Sequence, residues 1–81
     1  MRLDKYLKVS RIIKRRTVAA EACDLGRVSI NGKVAKPSSE VKIGDKLDLL
    51  MGGKHLYFKV LGIQEYTKKD DATSMYEILP E

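Results

Sequence analysis

The chain is poor in the residues that build covalent staples and metal cages. It has one cysteine, Cys23. A single thiol excludes a disulfide framework and fits a reducing compartment. Cys23 falls inside an expected helix and reads as a small, half-buried hydrophobe rather than a reactive thiol. The one histidine, His55, has no second imidazole or cysteine nearby in sequence to complete a metal set, so it reads as a strand residue. There is no phosphate-binding glycine loop, no Gly-x-Ser-x-Gly elbow and no carboxylate pair in an apolar setting. Asp70-Asp71 stand beside Lys68 and Lys69 in a polar stretch and read as a solvated turn. No catalytic residue, metal or cofactor is expected. No apolar run approaches the length of a membrane span. The N-terminus opens on an amphipathic helix, not on a charged head and an apolar run, so a soluble, cytoplasmic protein without a signal peptide is expected.

Positive charge is abundant, and it lies in front. The net charge is +5. Residues 1–36 carry ten Lys/Arg against three acids, and residues 37–81 carry six against eight. A basic front half beside a mildly acidic back half suits a nucleic-acid face on a scaffold. Eighty-one residues make one small domain, and 43% apolar residues are enough for a globular core.

The chain is organised around residues 17–36. Thr17 is an N-cap candidate for an Ala-rich helix. Val18, Ala22 and Leu25, at i, i+4 and i+7, are expected to form its apolar face. Gly26 should stop the helix in the left-handed conformation. Val28 and Ile30 alternate with Ser29, and Asn31-Gly32 is a type I′ hairpin signal. Arg27, Asn31, Lys33 and Lys36 surround the strand and its turn, with Arg15 and Arg16 just before the helix.

Residues 2–9 suit a first helix. Leu3, Tyr6 and Leu7 share one side, while Arg2, Lys5 and Lys8 lie on another. Asp4 favours the first turn through the helix dipole. Ile12 and Ile13 are expected to plug the core. Arg11, Lys14, Arg15 and Arg16 form a dense cationic cluster in a segment that either continues the first helix or turns. Arginine forks beside a helix N-terminus make a good anion site.

Further on, Pro37-Ser38-Ser39 should break the strand, with Val41 and Ile43 returning to the core. Gly44-Asp45 marks a turn. Lys46 to Leu50 alternates as a strand with Leu47 and Leu49 inward. Gly52-Gly53 permits a second hairpin, answered by Leu56, Phe58 and Val60 on one face. Thr67 to Ser74 reads as a polar loop and Met75 to Leu79 as a last strand.

The ordered spacing resembles the S4 RNA-binding domain. The matching residues are Arg2-Leu3-Asp4-Lys5-Tyr6-Leu7, then Arg16, Ala19, Gly26 and Val28-Ser29-Ile30-Asn31-Gly32, then Lys36-Pro37-Ser38 and Val41-Lys42-Ile43-Gly44-Asp45. Arg15 departs from the pattern, since many members carry serine there. The run Ile13-Lys14-Arg15-Arg16-Thr17 is similar to a narrower heat-shock-protein-15/RqcP branch. The opening MRLDKYLKVSR, the Thr67-Lys68-Lys69-Asp70-Asp71 loop and the ending Met75-Tyr76-Glu77-Ile78-Leu79 resemble its RqcP members. So does the end at Glu81, without the basic extension of the heat-shock relatives.

The resemblance implies an α+β fold: two N-terminal helices on a small, mainly antiparallel sheet of about four to five strands. It implies one S4-like domain over 1–81, with the core motif in 1–50 and C-terminal strands in 54–81. It implies a non-catalytic RNA clamp of ribosome-associated quality control; a monomer is the simplest state. Its partners would be large-subunit ribosomal RNA, peptidyl-tRNA and an RqcH/NEMF-type tailing factor, with no membrane. The expected RNA contacts are Arg2, Lys5, Lys8, Arg11, Lys14, Arg15, Arg16, Thr17, Arg27, Asn31, Lys33, Lys36 and Ser38. The alternatives are a general RNA chaperone, an S4 piece of an RNA-modifying enzyme, for which 81 residues leave no catalytic domain, and a helix-turn-helix, against which the hairpin directly after Gly26 argues.

Overall fold

The computed structural model describes residues 1–64 and 72–80. The readings of residues 67–71, including Asp70-Asp71, lie outside the described residues. Helix α1 spans Leu3–Val9 and α2 spans Arg16–Asp24. Five strands follow: β1 Val28–Ile30, β2 Lys33–Val34, β3 Lys46–Met51, β4 Lys54–Val60 and β5 Tyr76–Leu79. They form one antiparallel sheet in the order β2-β1-β3-β4-β5. This is the expected two-helix, α+β architecture.

The core lies between the helices and one sheet face. Leu3, Tyr6 and Leu7 enter it from α1 and are fully buried, as their spacing predicts. Ala19 and Cys23 enter from α2, and Val28, Leu47, Leu49, Phe58 and Val60 from the sheet. The Tyr6 hydroxyl donates to the Met75 carbonyl at 2.7 Å, which ties α1 to the C-terminal part of the chain. Burial pushes the Tyr6 phenol well above its ordinary range, and the Tyr76 phenol adds to the shift.

Several local readings are corrected. Helix α2 begins at Arg16, with Arg15 extended at the N-cap position and no side-chain cap. Thr17 is therefore inside the first turn and does not cap it. The buried face of α2 is Ala19–Cys23, while Val18 and Leu25 are exposed. Small side chains set the contact, so the helix packs closely by its narrow stripe and leaves the longer aliphatics outside. Residues 10–15 turn rather than continue α1; Arg11 takes φ 62°. Ile13 is buried and Ile12 packs at the margin of the core.

Val41 is buried, but Ile43 is 64% exposed. The Asp45 N–H donates to the Lys42 carbonyl, and Gly44 has φ 95°. Ile43 thus occupies the outer corner of a type II turn, where strand alternation does not apply. Leu56 is also exposed: it stands opposite the buried Leu49, but β5 pairs with β4 only from Tyr57 to Val60 and leaves its other side without a strand neighbour. Ala72–Met75 forms a 3₁₀ turn with Ala72 and Met75 buried, so the end of the expected polar loop belongs to the core.

Two turns follow the sequence closely. Gly26 has φ 73°; its N–H donates to the Cys23 carbonyl, and that of Arg27 to the Ala22 carbonyl. These two bonds make a Schellman stop that aims the chain into β1. Asn31 and Gly32 have φ 50° and 85°, and Ile30 pairs with Lys33. That is the type I′ hairpin.

Candidate nucleic-acid interface

Asp4 is the centre of the basic surface. Its side chain is 6% exposed and is held by two arginines that remain half in solvent. Arg2 Nε and Nη2 donate to its two oxygens at 3.3 Å each. Arg16 Nη2 donates to Oδ1 at 3.4 Å, and Arg16 Nε lies 3.4 Å from Oδ2. The Lys5 backbone N–H adds a bond of 2.8 Å to Oδ1. Burial raises the Asp4 pKa. The Arg16 hydrogen bond, the Lys5 N–H and the charges of Arg16 and Arg2 outweigh it and hold the carboxyl below its ordinary value.

The consequence is a pair of oriented guanidinium groups. Arg2 sits at the N-cap of α1 and Arg16 is the first residue of α2. One buried carboxylate fixes both, so little side-chain entropy remains to be lost on binding an anion. The surface beside Arg16 adds partial positive charge. The first backbone N–H of α2 with an intrahelical partner is that of Ala19, to the Arg15 carbonyl. The N–H groups before it, on Arg16, Thr17 and Val18, have no partner within the helix, and the N-cap residue Arg15 gives them no side-chain bond.

The other expected contacts separate into groups. Lys8, Arg11, Lys14 and Arg15 are exposed along α1 and the turn to α2. None of these four has a carboxylate partner among the described residues. Lys5 is partly buried on α1 and is not free of interactions. Arg2, Lys36 and Ser38 line one open groove of about 510 Å³ with Gly26, Val34 and Pro37. Its wall brings the N-terminus of α1 together with the segment after β2. Lys33 is exposed on β2, and Arg27 lines a different groove, of about 260 Å³, between α2 and β3.

Asn31 does not present a free amide. Its Nδ2 donates to Asp45 Oδ1 at 3.1 Å, and its Oδ1 accepts the Lys46 backbone N–H at 3.0 Å. It fastens the β1–β2 turn to the start of β3. Sequence reasoning missed the clamp at Asp4, assigning that residue only to the helix dipole. Its signal was an acid one turn from an expected cation face, in the basic half of the chain.

Nothing in the geometry assembles a reactive centre among the described residues. Cys23 is buried, and burial with the charges of Asp4 and Asp24 pushes its thiol up to about 11. His55 Nδ1 lies 2.9 Å from Asp48 Oδ1 on the exposed sheet face. No group of three potential metal ligands is present among the described residues. No described helix is long and apolar enough to cross a membrane.

Comparison with known proteins agrees with this geometry. Residues 1–47 match the S4 domain family. The chain is 57% identical to the RQC P-site tRNA stabilizing factor of Streptococcus pneumoniae strain R6, over all of this chain and 92% of that protein. It is 56% identical to the protein of the same name from Bacillus subtilis strain 168, over all of this chain and 94% of the relative. The trimeric structure of Vibrio cholerae heat shock protein 15 superposes with a TM-score of 0.89 at 31% identity, covering 98% of this chain and 81% of the other. With the motif, the full-length relatives and the fold in agreement, the chain belongs to the S4 domain family, in the branch of the RQC P-site tRNA stabilizing factors and heat shock protein 15.

Proposed function

We propose that the chain is a non-catalytic RNA-binding factor of ribosome-associated quality control. It binds obstructed large ribosomal subunits in the cytoplasm, as a monomer and one S4-like unit. There it contacts ribosomal RNA and the P-site peptidyl-tRNA. By holding that tRNA it supports C-terminal alanine tailing of stalled nascent chains, alongside an RqcH/NEMF-type factor on the same subunit. The names of its relatives support the tRNA and P-site parts of this reading.

The observation that carries the reading is the Arg2–Asp4–Arg16 clamp. Two guanidinium groups fixed on one buried carboxylate, beside an uncapped helix start, form a preset cradle for phosphate oxygens. Lys5, Lys8, Arg11, Lys14, Arg15 and Thr17 extend the cradle along the helices. Arg27, Lys33, Lys36 and Ser38 extend it along the hairpin side. Recognition through backbone and shape suits folded RNA, whose deep major groove side chains read poorly.

Competition binding tests the reading. Labelled protein on purified large subunits carrying peptidyl-tRNA is challenged with bulk folded RNA. Retention on the subunits at high excess supports the proposal. Displacement in proportion to added RNA mass makes the protein a general RNA chaperone instead.

A further inference from the structure

The sequence Asn31-Gly32 is chemically as well as conformationally special. An asparagine followed by glycine is open to attack by the glycine nitrogen, because no side chain shields it. In this protein the asparagine amide is held at both ends. Nδ2 donates to Asp45 Oδ1 at 3.1 Å, and Oδ1 accepts from the Lys46 N–H at 3.0 Å. The Asn31 N–H also donates to the Lys46 carbonyl, at 2.8 Å. The turn is otherwise exposed, and apart from its chain neighbours nothing lies within 4 Å of where a side-chain β-carbon on Gly32 would sit.

We propose that Asn31 is a deamidation site gated by this clamp, and that its modification irreversibly releases the β1–β2 hairpin. In the reaction the Gly32 nitrogen loses its proton to hydroxide and bonds to Asn31 Cγ. The Cγ–Nδ2 bond breaks, and Nδ2 takes a proton from water and leaves as ammonia, which regenerates the hydroxide. Water then opens the cyclic imide at either carbonyl, giving aspartate or isoaspartate. Only water and its ions are consumed. While the clamp holds, Cγ cannot turn onto the Gly32 nitrogen, so the reaction waits for the turn to open.

The products cannot restore the native contact. A new carboxylate at position 31 has no proton to donate to Asp45 and repels it. Isoaspartate also lengthens the main chain by one carbon within a two-residue turn, which breaks the Ile30–Lys33 register. Lys33 and Lys36 lie on or just after that hairpin. On the RNA-binding reading proposed above, an aged molecule would lose this arm of the interface while keeping the Arg2–Asp4–Arg16 cradle.

Intact mass and peptide mapping in warm, mildly alkaline buffer test the gate, and they do not depend on RNA binding. The full chain is compared with a free peptide spanning residues 28–34. Opening must release two side-chain hydrogen bonds, so the folded chain is expected to deamidate at least roughly tenfold more slowly than the peptide. Asp45→Ala, checked for native circular dichroism, is expected to recover most of that difference. If folded wild type deamidates as fast as the peptide, the gate does not exist. If folded Asp45→Ala is no faster than wild type, Asp45 is not its latch. RNA titration of the aged chain is a separate arm: unchanged affinity would remove the hairpin from the RNA interface and leave the gate intact.

Discussion

Arg16 donates to Asp4 across twelve residues of sequence and so joins the start of α2 to the first turn of α1. Arg2 completes the set with bonds to both carboxylate oxygens. Asp4 therefore orients the two cations proposed to meet RNA, although it carries the wrong charge to meet RNA itself.

This gives a prediction whose sign is informative. Asp4→Asn removes a negative charge from a basic face, which bulk electrostatics alone would read as tighter RNA binding. The clamp predicts weaker binding, because neither guanidinium stays oriented. Stability should fall by about 1–3 kcal/mol, the usual consequence of disrupting a buried charged hydrogen-bond set. Urea denaturation and RNA titration on the same variant check both parts.

The pH dependence follows from the same group. The folded Asp4 pKa lies below its unfolded value of about 3.8. The unfolded chain therefore takes up the proton first as pH falls. The stability from Asp4 is present above about pH 3.8 and is lost as pH drops through the folded value. Acid titration of wild type should show this loss, and Asp4→Asn should show less of it.

The alkaline limb runs the other way. Cys23 is raised from 9.0 to about 11 by burial, and Tyr6 is raised as well. The unfolded thiol ionises first, so stability should decline as pH rises above 9.0. A thiol reagent at neutral pH should label native Cys23 slowly and urea-unfolded chain fast.

Arg11 stands at φ 62°, where a side chain on the α-carbon is strained by about 1 kcal/mol. Glycine would relax that turn. Arg11→Gly is expected to leave stability equal or slightly higher while weakening RNA binding and flattening its salt dependence by about one unit of slope. Thermal melts and salt titrations together separate the two effects.

The long-range order of the fold was legible because its punctuation is local. Gly26, Asn31-Gly32, Gly44 and Gly52-Gly53 each take the positive φ their turns require. The core of α1 was legible because Leu3, Tyr6 and Leu7 are large and evenly spaced. The burial of α2 was not, because Val18–Ala22–Leu25 and Ala19–Cys23 both fit a helical period, and only packing against α1 and the sheet chooses between them. Most of the candidate RNA face lies at exposed positions, as a charge count alone suggests. The roles of Asp4 and Asn31 were hidden, since each depends on a partner brought close only by folding. The same packing argument predicts that Ile43→Ser and Leu25→Ser are nearly neutral, whereas Val41→Ala costs about 1–3 kcal/mol in a urea melt.

The central claim is that this surface holds the chain on obstructed large subunits. A sucrose-gradient profile of tagged wild type and Arg16→Ala from cells with stalled ribosomes tests it most directly. The account predicts wild type co-sedimenting with large subunits that carry peptidyl-tRNA, and a folded Arg16→Ala remaining at the top of the gradient. Wild type spread across both subunits and free RNA, or Arg16→Ala sedimenting with large subunits as wild type does, would contradict it.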